Sequence, residues 1–183
     1  MIFIINVCRE KLHYYEFAKP IEDALRKNKI KFFTKHYSGV NDETLKKADK
    51  IIICGTSLKD FDYEKNFHKF SWLKNFDKPV LGICAGMQII SFIFGGKKKN
   101  GTEIGYYFEN FKKEFLSLKD EHEVYHLHNN YVTLPRNFEN FTEGKIPQAI
   151  KHKIKPIYGV LFHPEVRNKK MIEEFCKIVK VHD

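Results

Sequence analysis

Short apolar runs alternate with longer mixed stretches along the first half of the chain. The apolar runs are rich in isoleucine, valine and phenylalanine, which predicts strands at residues 2–7, 30–37, 51–54 and 79–83. The stretches between and after them carry helical signals, which predicts helices at residues 20–28, from 41–44 onward, at 64–75 and at 85–94. Strands that alternate with helices in this way indicate a parallel sheet buried on both faces.

The second half has a different pattern, in which short apolar runs are separated by polar turns. It predicts short strands at residues 105–108, 124–127, 131–134, 148–152 and 157–162. A last helix is predicted at residues 169–180, because Met171, Ile172 and Phe175 recur at helical spacing and can pack on the sheet. The chain shows no internal repeat or linker. We therefore predict one α/β domain over residues 1–183, with a mostly parallel sheet flanked by helices and a smaller antiparallel region.

The charge balance is basic, with 32 Lys+Arg against 23 Asp+Glu in 183 residues and a formal net charge of +9. Nearly all of the positive charge is lysine scattered along the chain, which is typical of a solvated surface. The densest run, at residues 97–99, follows two glycines and predicts an exposed turn. No apolar run approaches the roughly 18 residues that a membrane span needs. We expect neither a nucleic acid nor a membrane as partner.

The four cysteines lack the C-x-x-C spacing of a zinc site or a redox pair. We expect Cys54 to pack in the core, Cys176 on the buried face of the last helix, and Cys8 near the sheet edge where α/β proteins bind ligands. The apolar first residues turn polar quickly and lack a basic leader and a cleavage site. These features predict a cytoplasmic protein with reduced thiols.

The fourth cysteine, Cys84, stands at the centre of a G-x-C-x-G pattern between a predicted strand and a predicted helix. This is the thiol counterpart of the G-x-S-x-G nucleophile elbow, in which glycines on either side allow a sharp, strained turn. Cys84 would then lie at a helix N-terminus, which favours a thiolate, and the N–H of Ala85 would face a developing oxyanion. The alternative is a buried cysteine between two packing glycines.

A second motif, His163-Pro164-Glu165, follows the apolar run at residues 157–162. At the end of an extended strand, residues two apart lie on one side, so His163 and Glu165 can stand together as a base and the group that orients it. A lone histidine is more often a structural residue. Together with Cys84, however, the pair makes a Cys-His-Glu triad.

Residues 82–88 and 156–166 resemble the nucleophile and His/Glu motifs of the class I (triad) glutamine amidotransferases. The resemblance covers essentially the whole chain and implies that family's flavodoxin-like fold. The second motif is most similar to the glutaminase part of GMP synthetases. The resemblance implies that Cys84 attacks the carboxamide of L-glutamine, that His163 transfers the proton and Glu165 orients His163, and that a glutamyl thioester is hydrolysed without a cofactor.

The same resemblance suggests further site residues. Gln88 occupies the family's glutamine-contacting position, although it also suits an ordinary polar residue of a first helical turn. Gly55 and Thr56 follow the third strand, where the family has a loop that supplies a second oxyanion N–H. The family's substrate-holding segment corresponds to a stretch that contains His128, Asn129 and Asn130.

One alternative in that stretch is a metal site, because His126 and His128 are two residues apart on a predicted strand and face one way. No third ligand has compelling spacing, and we predict no metal. Glu103 begins a Glu-Ile-Gly segment that is weakly similar to another family segment.

The resemblance implies a partner, because no P-loop signature for acceptor activation occurs in the chain. We expect a separate ATP-dependent synthase subunit that receives the ammonia, with GMP synthesis as one destination. Two alternatives remain at this point. One is a γ-glutamyl peptidase-like hydrolase or an amidotransferase of another pathway, and the other is a regulatory or binding subunit with little activity alone.

Overall fold

The computed structural model describes residues 1–179, and its strands form two sheets. The strands in the described part are β1 (Ile2–Asn6), β2 (Phe32–His36), β3 (Lys50–Ile53), β4 (Val80–Ile83), β5 (Lys98–Phe115), β6 (Leu118–Val132), β7 (Phe138–Asn140), β8 (Ala149–His152) and β9 (Ile157–Val160). The helices of the same residues are α1 (His13–Phe17), α2 (Lys19–Lys27), α3 (Asp42–Lys47), α4 (Asp62–Lys65), α5 (Ala85–Ile93) and α6 (Lys169–Lys177).

The larger sheet has the strand order β2-β1-β3-β4-β9-β8-β7. Strands β2, β1, β3, β4 and β9 are parallel, and β8 and β7 continue the sheet in antiparallel pairing. Its central strands are fully buried, as Ile4, Ile52 and Leu81 show, because helices cover both faces of a parallel sheet. The predicted mixed α/β fold with a mostly parallel sheet is confirmed.

Strand β9 joins the two halves of the sheet, because it pairs with β4 on one side and with β8 on the other. The register places Ile83 at the end of β4 beside Val160 at the end of β9. The residues that follow these two strands therefore emerge side by side at the carboxyl edge of the sheet, where open α/β sheets bind their ligands.

The smaller sheet is one long antiparallel hairpin of β5 and β6. The short strands predicted at residues 105–108, 124–127 and 131–134 are wrong in extent, because they are parts of these two strands. Register shifts between Asn100 and Glu103 and between Phe111 and Phe115 interrupt the alternation of exposed and buried side chains. A bulge adds a residue to one strand and shifts the alternation of side chains, so a long strand is not recognised from a period of two in the sequence.

The helix predicted at residues 64–75 is also wrong. A single α-turn, α4, is followed by a 3₁₀ segment at Phe67–Asn75. Only Phe70 and Leu73 of that segment are buried, and residues three apart lie directly above one another on a 3₁₀-helix.

Other predicted boundaries changed less. Lys98 and Lys99 open strand β5 instead of forming a turn, and Lys98 pairs with Glu64 at 2.6 Å. Helix α5 ends one residue earlier than predicted, before Gly95 at φ +89°. Helix α6 ends at Lys177, and the predicted end at Lys180 lies outside the described residues. Within residues 1–179, no helix is long and apolar enough to cross a bilayer.

Candidate active site

Cys84 lies at the turn between strand β4 and helix α5, where its backbone adopts φ 49° and ψ −104°. A positive φ is strained for a residue with a side chain. The turn is held by a backbone hydrogen bond from the Cys84 N–H to the Val160 carbonyl at 2.7 Å. The Cys84 side chain is largely buried, and its Sγ lies 3.7 Å from the Leu127 carbonyl oxygen on β6. The geometry is that of a nucleophile elbow.

The two glycines of the motif are required by close backbone packing. A Cβ at Gly86 would lie 2.3 Å from the Ile53 carbonyl oxygen, and a Cβ at Gly82 would lie 2.5 Å from the Gly86 carbonyl carbon. Real side chains do not approach the backbone so closely. The glycines therefore allow α5 to pack directly on strands β3 and β4 and leave Cys84 at the sheet edge.

His163 and Glu165 lie in the turn that follows β9, and they contact each other. His163 Nδ1 is 2.8 Å from Glu165 Oε1, and both side chains are almost completely buried. The strand ends at Val160, so the pair is brought together by a turn closed by the Val166 N–H on the His163 carbonyl at 3.1 Å. The extended strand end predicted for these residues is wrong, although their contact is present.

The electrostatic surroundings favour a protonated His163. Burial opposes the charge, but the adjacent Glu165 carboxylate and the Cys84 side chain outweigh it and raise the pKa of His163 well above its ordinary value. The Nε2 atom of the ring is buried and has no hydrogen bond of normal geometry within the described residues. His163 is therefore oriented through Nδ1, and Nε2 is free to exchange a proton.

Gly55, just after strand β3, lies against both His163 and Cys84. A Cβ at this position would be 2.7 Å from His163 Cε1 and 3.3 Å from Cys84 Cβ. The next residue, Thr56, is buried and donates a hydrogen bond from its hydroxyl to Asp60 Oδ2 at 2.8 Å. Both residues thus border the space in front of the Cys84 thiol.

A narrow pocket beside Cys84 is lined by the 56–61 loop, the first turn of α5 and strand β6. The pocket includes Ala85, Gln88, His128, Asn129 and Asn130. These are the residues that the sequence places in an oxyanion or substrate-binding role, together with Gly55 and Thr56. All of them come together at one end of the sheet.

Gln88 is held in the pocket by two hydrogen bonds. Its Oε1 accepts from the Tyr63 hydroxyl at 2.6 Å, and its Nε2 donates to the Asn130 carbonyl at 3.0 Å. Asn129 Nδ2 donates to the Leu58 carbonyl at 3.3 Å, which connects the hairpin to the loop after β3. Sequence reasoning did not identify Tyr63, because a tyrosine in a short polar helix carries no signal of a pocket.

The other cysteines lie apart from this pocket. Cys54 is fully buried, as predicted, and Cys8 is buried with its Sγ 3.6 Å from the Gly55 carbonyl. Cys176 is half-buried on α6, where burial raises its pKa to about 11. Cys176 is therefore only partly buried, whereas the prediction placed it on the buried face of the last helix.

Comparison with known families gives an independent assignment. Residues 12–178 match the family model described as "Glutamine amidotransferase class-I". The chain belongs to the class I glutamine amidotransferase family. The family membership and the enzyme class expected from residues 82–88 and 156–166 are both confirmed.

Curated relatives of this amidotransferase include archaeal proteins named as one of the subunits of glutamine-hydrolyzing GMP synthase. The protein from Methanosphaera stadtmanae is 43% identical over 118 residues, which span 57% of this chain and 62% of the relative. That match therefore covers less than two thirds of the relative. The protein from Methanocaldococcus jannaschii is 32% identical over 148 residues, which span 74% of this chain and 77% of the relative.

A solved structure shows the same fold. The crystal structure of a protein described as a GMP synthase subunit, from Thermoplasma acidophilum, superposes with a TM-score of 0.81 and 22% sequence identity, covering 96% of this chain and 92% of that one. A glutamine amidotransferase from Thermotoga maritima superposes with a TM-score of 0.70 and 21% identity, covering 96% of this chain and 82% of that one. At these identities the likeness concerns the fold alone.

Proposed function

We propose that this amidotransferase hydrolyses L-glutamine to glutamate and ammonia through Cys84, His163 and Glu165, and supplies the ammonia to a separate ATP-dependent synthase that makes GMP. One observation carries the proposal: Cys84, in its strained turn, lies at the same edge of the sheet as a buried pair in which His163 Nδ1 is 2.8 Å from Glu165 Oε1. The names of the archaeal relatives support GMP synthesis as the destination.

In the first half of the reaction, His163 Nε2 takes the proton of the Cys84 thiol before attack, and the resulting thiolate attacks the side-chain carbonyl carbon of glutamine. His163 then returns that proton to the departing nitrogen, so that ammonia leaves and a glutamyl thioester remains. Water, deprotonated by His163, hydrolyses the thioester and regenerates the thiol. The Glu165 carboxylate holds the His163 ring and stabilises its charge, and no cofactor takes part.

Two backbone N–H groups stabilise the oxyanion in this proposal. Ala85 is the first residue of α5, so its N–H has no partner within the helix, and the residue lines the pocket beside Cys84. A second N–H comes from the Gly55 to Thr56 segment, which borders His163 and Cys84.

Substrate recognition falls to the Gln88 side chain and to the backbone of His128, Asn129 and Asn130, which line the pocket beside Cys84. The cavity between them is about 20 Å³, which is room for about one water molecule. Glutamine is larger, and we propose that it enters when the 56–61 loop moves away from strand β6. The hydrogen bond from Asn129 to the Leu58 carbonyl is the contact that must open.

The partner in this proposal is a synthase subunit with an acidic docking face. The net charge of +9 on this chain makes such a face complementary. Association would then weaken as salt rises, because exposed charges are screened over about 10 Å at 0.1 M ionic strength. The reduced thiols of the chain suit reaction in the cytoplasm.

The chemistry is tested by incubating the protein with glutamine and measuring glutamate and ammonia, with and without a candidate synthase. Cys84→Ala should lose the activity, and a glutamine-directed electrophile should label Cys84. The matched control is Cys176→Ala, which removes a thiol remote from the pocket and should keep the activity. Full activity in Cys84→Ala, or labelling of another cysteine, would disprove the mechanism.

The partner is tested by co-purification from source cells at low and high salt. A GMP-forming synthase that is captured at low salt and released at high salt supports the proposal. Capture of a synthase of another pathway, or rapid hydrolysis of γ-glutamyl peptides with no synthase bound, would replace it with one of the alternative functions.

A further inference from the structure

A cluster of three ligand-type side chains lies on the β5–β6 hairpin, next to the pocket but outside the Cys84–His163–Glu165 group. Glu103, His126 and His128 each offer one donor atom, and these three atoms lie within 4.8 Å of one another. His126 and His128 are two residues apart on β6 and face the same side, while Glu103 lies directly opposite His128 across the hairpin. Strand pairing thus brings Glu103 to the two histidines as a third ligand-type side chain. The spacing of these residues along the sequence does not reveal this contact.

The spacing of the three donor atoms matches one face of a tetrahedron. His126 Nδ1 is 3.3 Å from His128 Nε2 and 3.6 Å from Glu103 Oε2, and His128 Nε2 is 2.9 Å from the same oxygen. A tetrahedral ion with bonds of about 2.0–2.1 Å separates its ligand atoms by about 3.3–3.4 Å. The set is therefore close to a zinc-binding arrangement before any ion enters.

The outer nitrogens of both rings face oxygen atoms. His128 Nδ1 is 3.2 Å from the Gly101 carbonyl, and only an N–H satisfies a carbonyl. His126 Nε2 is 3.2 Å from Glu109 Oε1, an ion-pair contact without aligned hydrogen-bond geometry. Placing the ring protons on these outer nitrogens leaves the two inner nitrogens as lone pairs, which is the tautomer of histidines that bind metals.

In these tautomers, the three inner donor atoms offer their lone pairs to a cation between them. With the proton of His128 on Nδ1, its Nε2 and the Glu103 carboxylate bring two lone pairs within 2.9 Å of each other. A metal ion between the rings and the carboxylate would pair with all three donor atoms at once, including His126 Nδ1. Both histidines are almost completely buried, so a ring nitrogen left without a partner there is costly.

Glu103 is prepared for the same role. Gln148 Nε2 donates to Glu103 Oε2 at 2.6 Å and orients the carboxylate. Ligating carboxylates commonly have such a hydrogen-bonded support.

We propose that Glu103, His126 and His128 bind one divalent transition-metal ion of the zinc type. Two imidazoles and one carboxylate suit Zn²⁺ or Co²⁺, whereas Mg²⁺ and Ca²⁺ prefer oxygen ligands. The ion stabilises the hairpin where it contacts the active site, since Leu127, which faces Cys84, lies between the two histidines. It takes no part in glutamine hydrolysis, and the inference does not depend on the proposed synthase.

The test uses untagged protein that has been freed of metal with a chelator and then titrated with Zn²⁺ and Co²⁺. We expect one equivalent to bind per chain, to raise the Tm, and to give Co²⁺ the intense visible bands of tetrahedral coordination. Sulfur-to-cobalt charge transfer in the near ultraviolet would place the ion on a cysteine and overturn the proposal. This readout needs no variant.

The variants Glu103→Gln and His126→Gln should weaken Zn²⁺ binding by more than about 100-fold. Loss of a residue that only supports a metal ligand lowers metal affinity by up to about 100-fold, and loss of a ligand should lower it further. Their folding is checked by circular dichroism, and if His126→Gln fails to fold, Glu103→Gln decides. The matched controls are His68→Gln, an exposed histidine, and Cys84→Ala, and both should bind Zn²⁺ like the wild type. Wild-type affinity in Glu103→Gln, loss of binding in Cys84→Ala, or no binding to the wild type would refute the site.

Discussion

Gly55 provides a sharp test of the proposed catalytic arrangement, because the absence of its side chain leaves room for the His163 ring. In Gly55→Ala the new methyl would stand 2.7 Å from His163 Cε1, about 0.7 Å short of the 3.4 Å at which ordinary contacts begin. The ring cannot easily move, since Glu165 holds Nδ1 and Phe17 packs against its face with ring centroids 5.5 Å apart. The substitution therefore displaces the base or the Cys84 turn.

A displacement of this size has a predictable cost. A misplacement of about 1 Å lowers a rate by about 100-fold, so we expect kcat for glutamine hydrolysis to fall by about 30- to 100-fold, or about 2–3 kcal/mol in the barrier. KM should change little, because His163 acts on the transition state more than on bound glutamine. Overpacking should also lower the free energy of unfolding by about 1–3 kcal/mol.

The assay is steady-state glutamate release by Gly55→Ala, with urea unfolding of the same preparation. The matched control is Gly39→Ala, whose new methyl meets its nearest neighbour, Lys35 Cδ, only at 3.9 Å. Gly39→Ala should keep wild-type kcat. If Gly55→Ala folds and retains more than about a third of the wild-type kcat, the contact between Gly55 and the catalytic histidine does not constrain the reaction.

Three further predictions concern individual contacts of the site. Glu165→Gln removes the negative charge that raises the pKa of His163 against the effect of burial. The pKa of His163 should therefore fall, and the alkaline limb of the kcat/KM profile should move to lower pH. An unchanged limb would show that Glu165 does not control His163. Tyr63→Phe removes the hydroxyl that donates to Gln88 Oε1 at 2.6 Å, and the loss of this hydrogen bond costs about 1–3 kcal/mol. The KM for glutamine should therefore rise by about 10-fold. The control Tyr106→Phe, on the exposed face of the hairpin, should leave KM unchanged. Cys84→Gly should be more stable to urea than Cys84→Ala by about 1 kcal/mol, because glycine tolerates φ 49°; the opposite order would mean that the elbow is not strained.

The parts of the fold that the sequence predicts are those set by short-range patterns. Continuous apolar runs identify β1, β3 and β4 because these strands are buried on both faces, and the two glycines around Cys84 identify the elbow because only they permit its packing. The hairpin could not be predicted at its full length, since its bulges interrupt the alternation and one of its faces is exposed.

The same distinction applies to the candidate site. His163 and Glu165 are only two residues apart along the chain. Their side chains can therefore come into contact in a turn as well as in an extended strand. Glu103 and Tyr63 reach their partners His128 and Gln88 only through strand register and helix packing. A single sequence contains no direct record of either contact.

The position of β9 between β4 and β8 determines when the active site can form as the chain is synthesised. Cys84 and the strands before it leave the ribosome first, because synthesis runs from the N-terminus. His163 reaches the thiol only after β9 has inserted beside β4. The nascent chain therefore carries its cysteine without the proposed base while residues 85–162 are synthesised, and Cys84 acquires that base only when β9 joins the sheet.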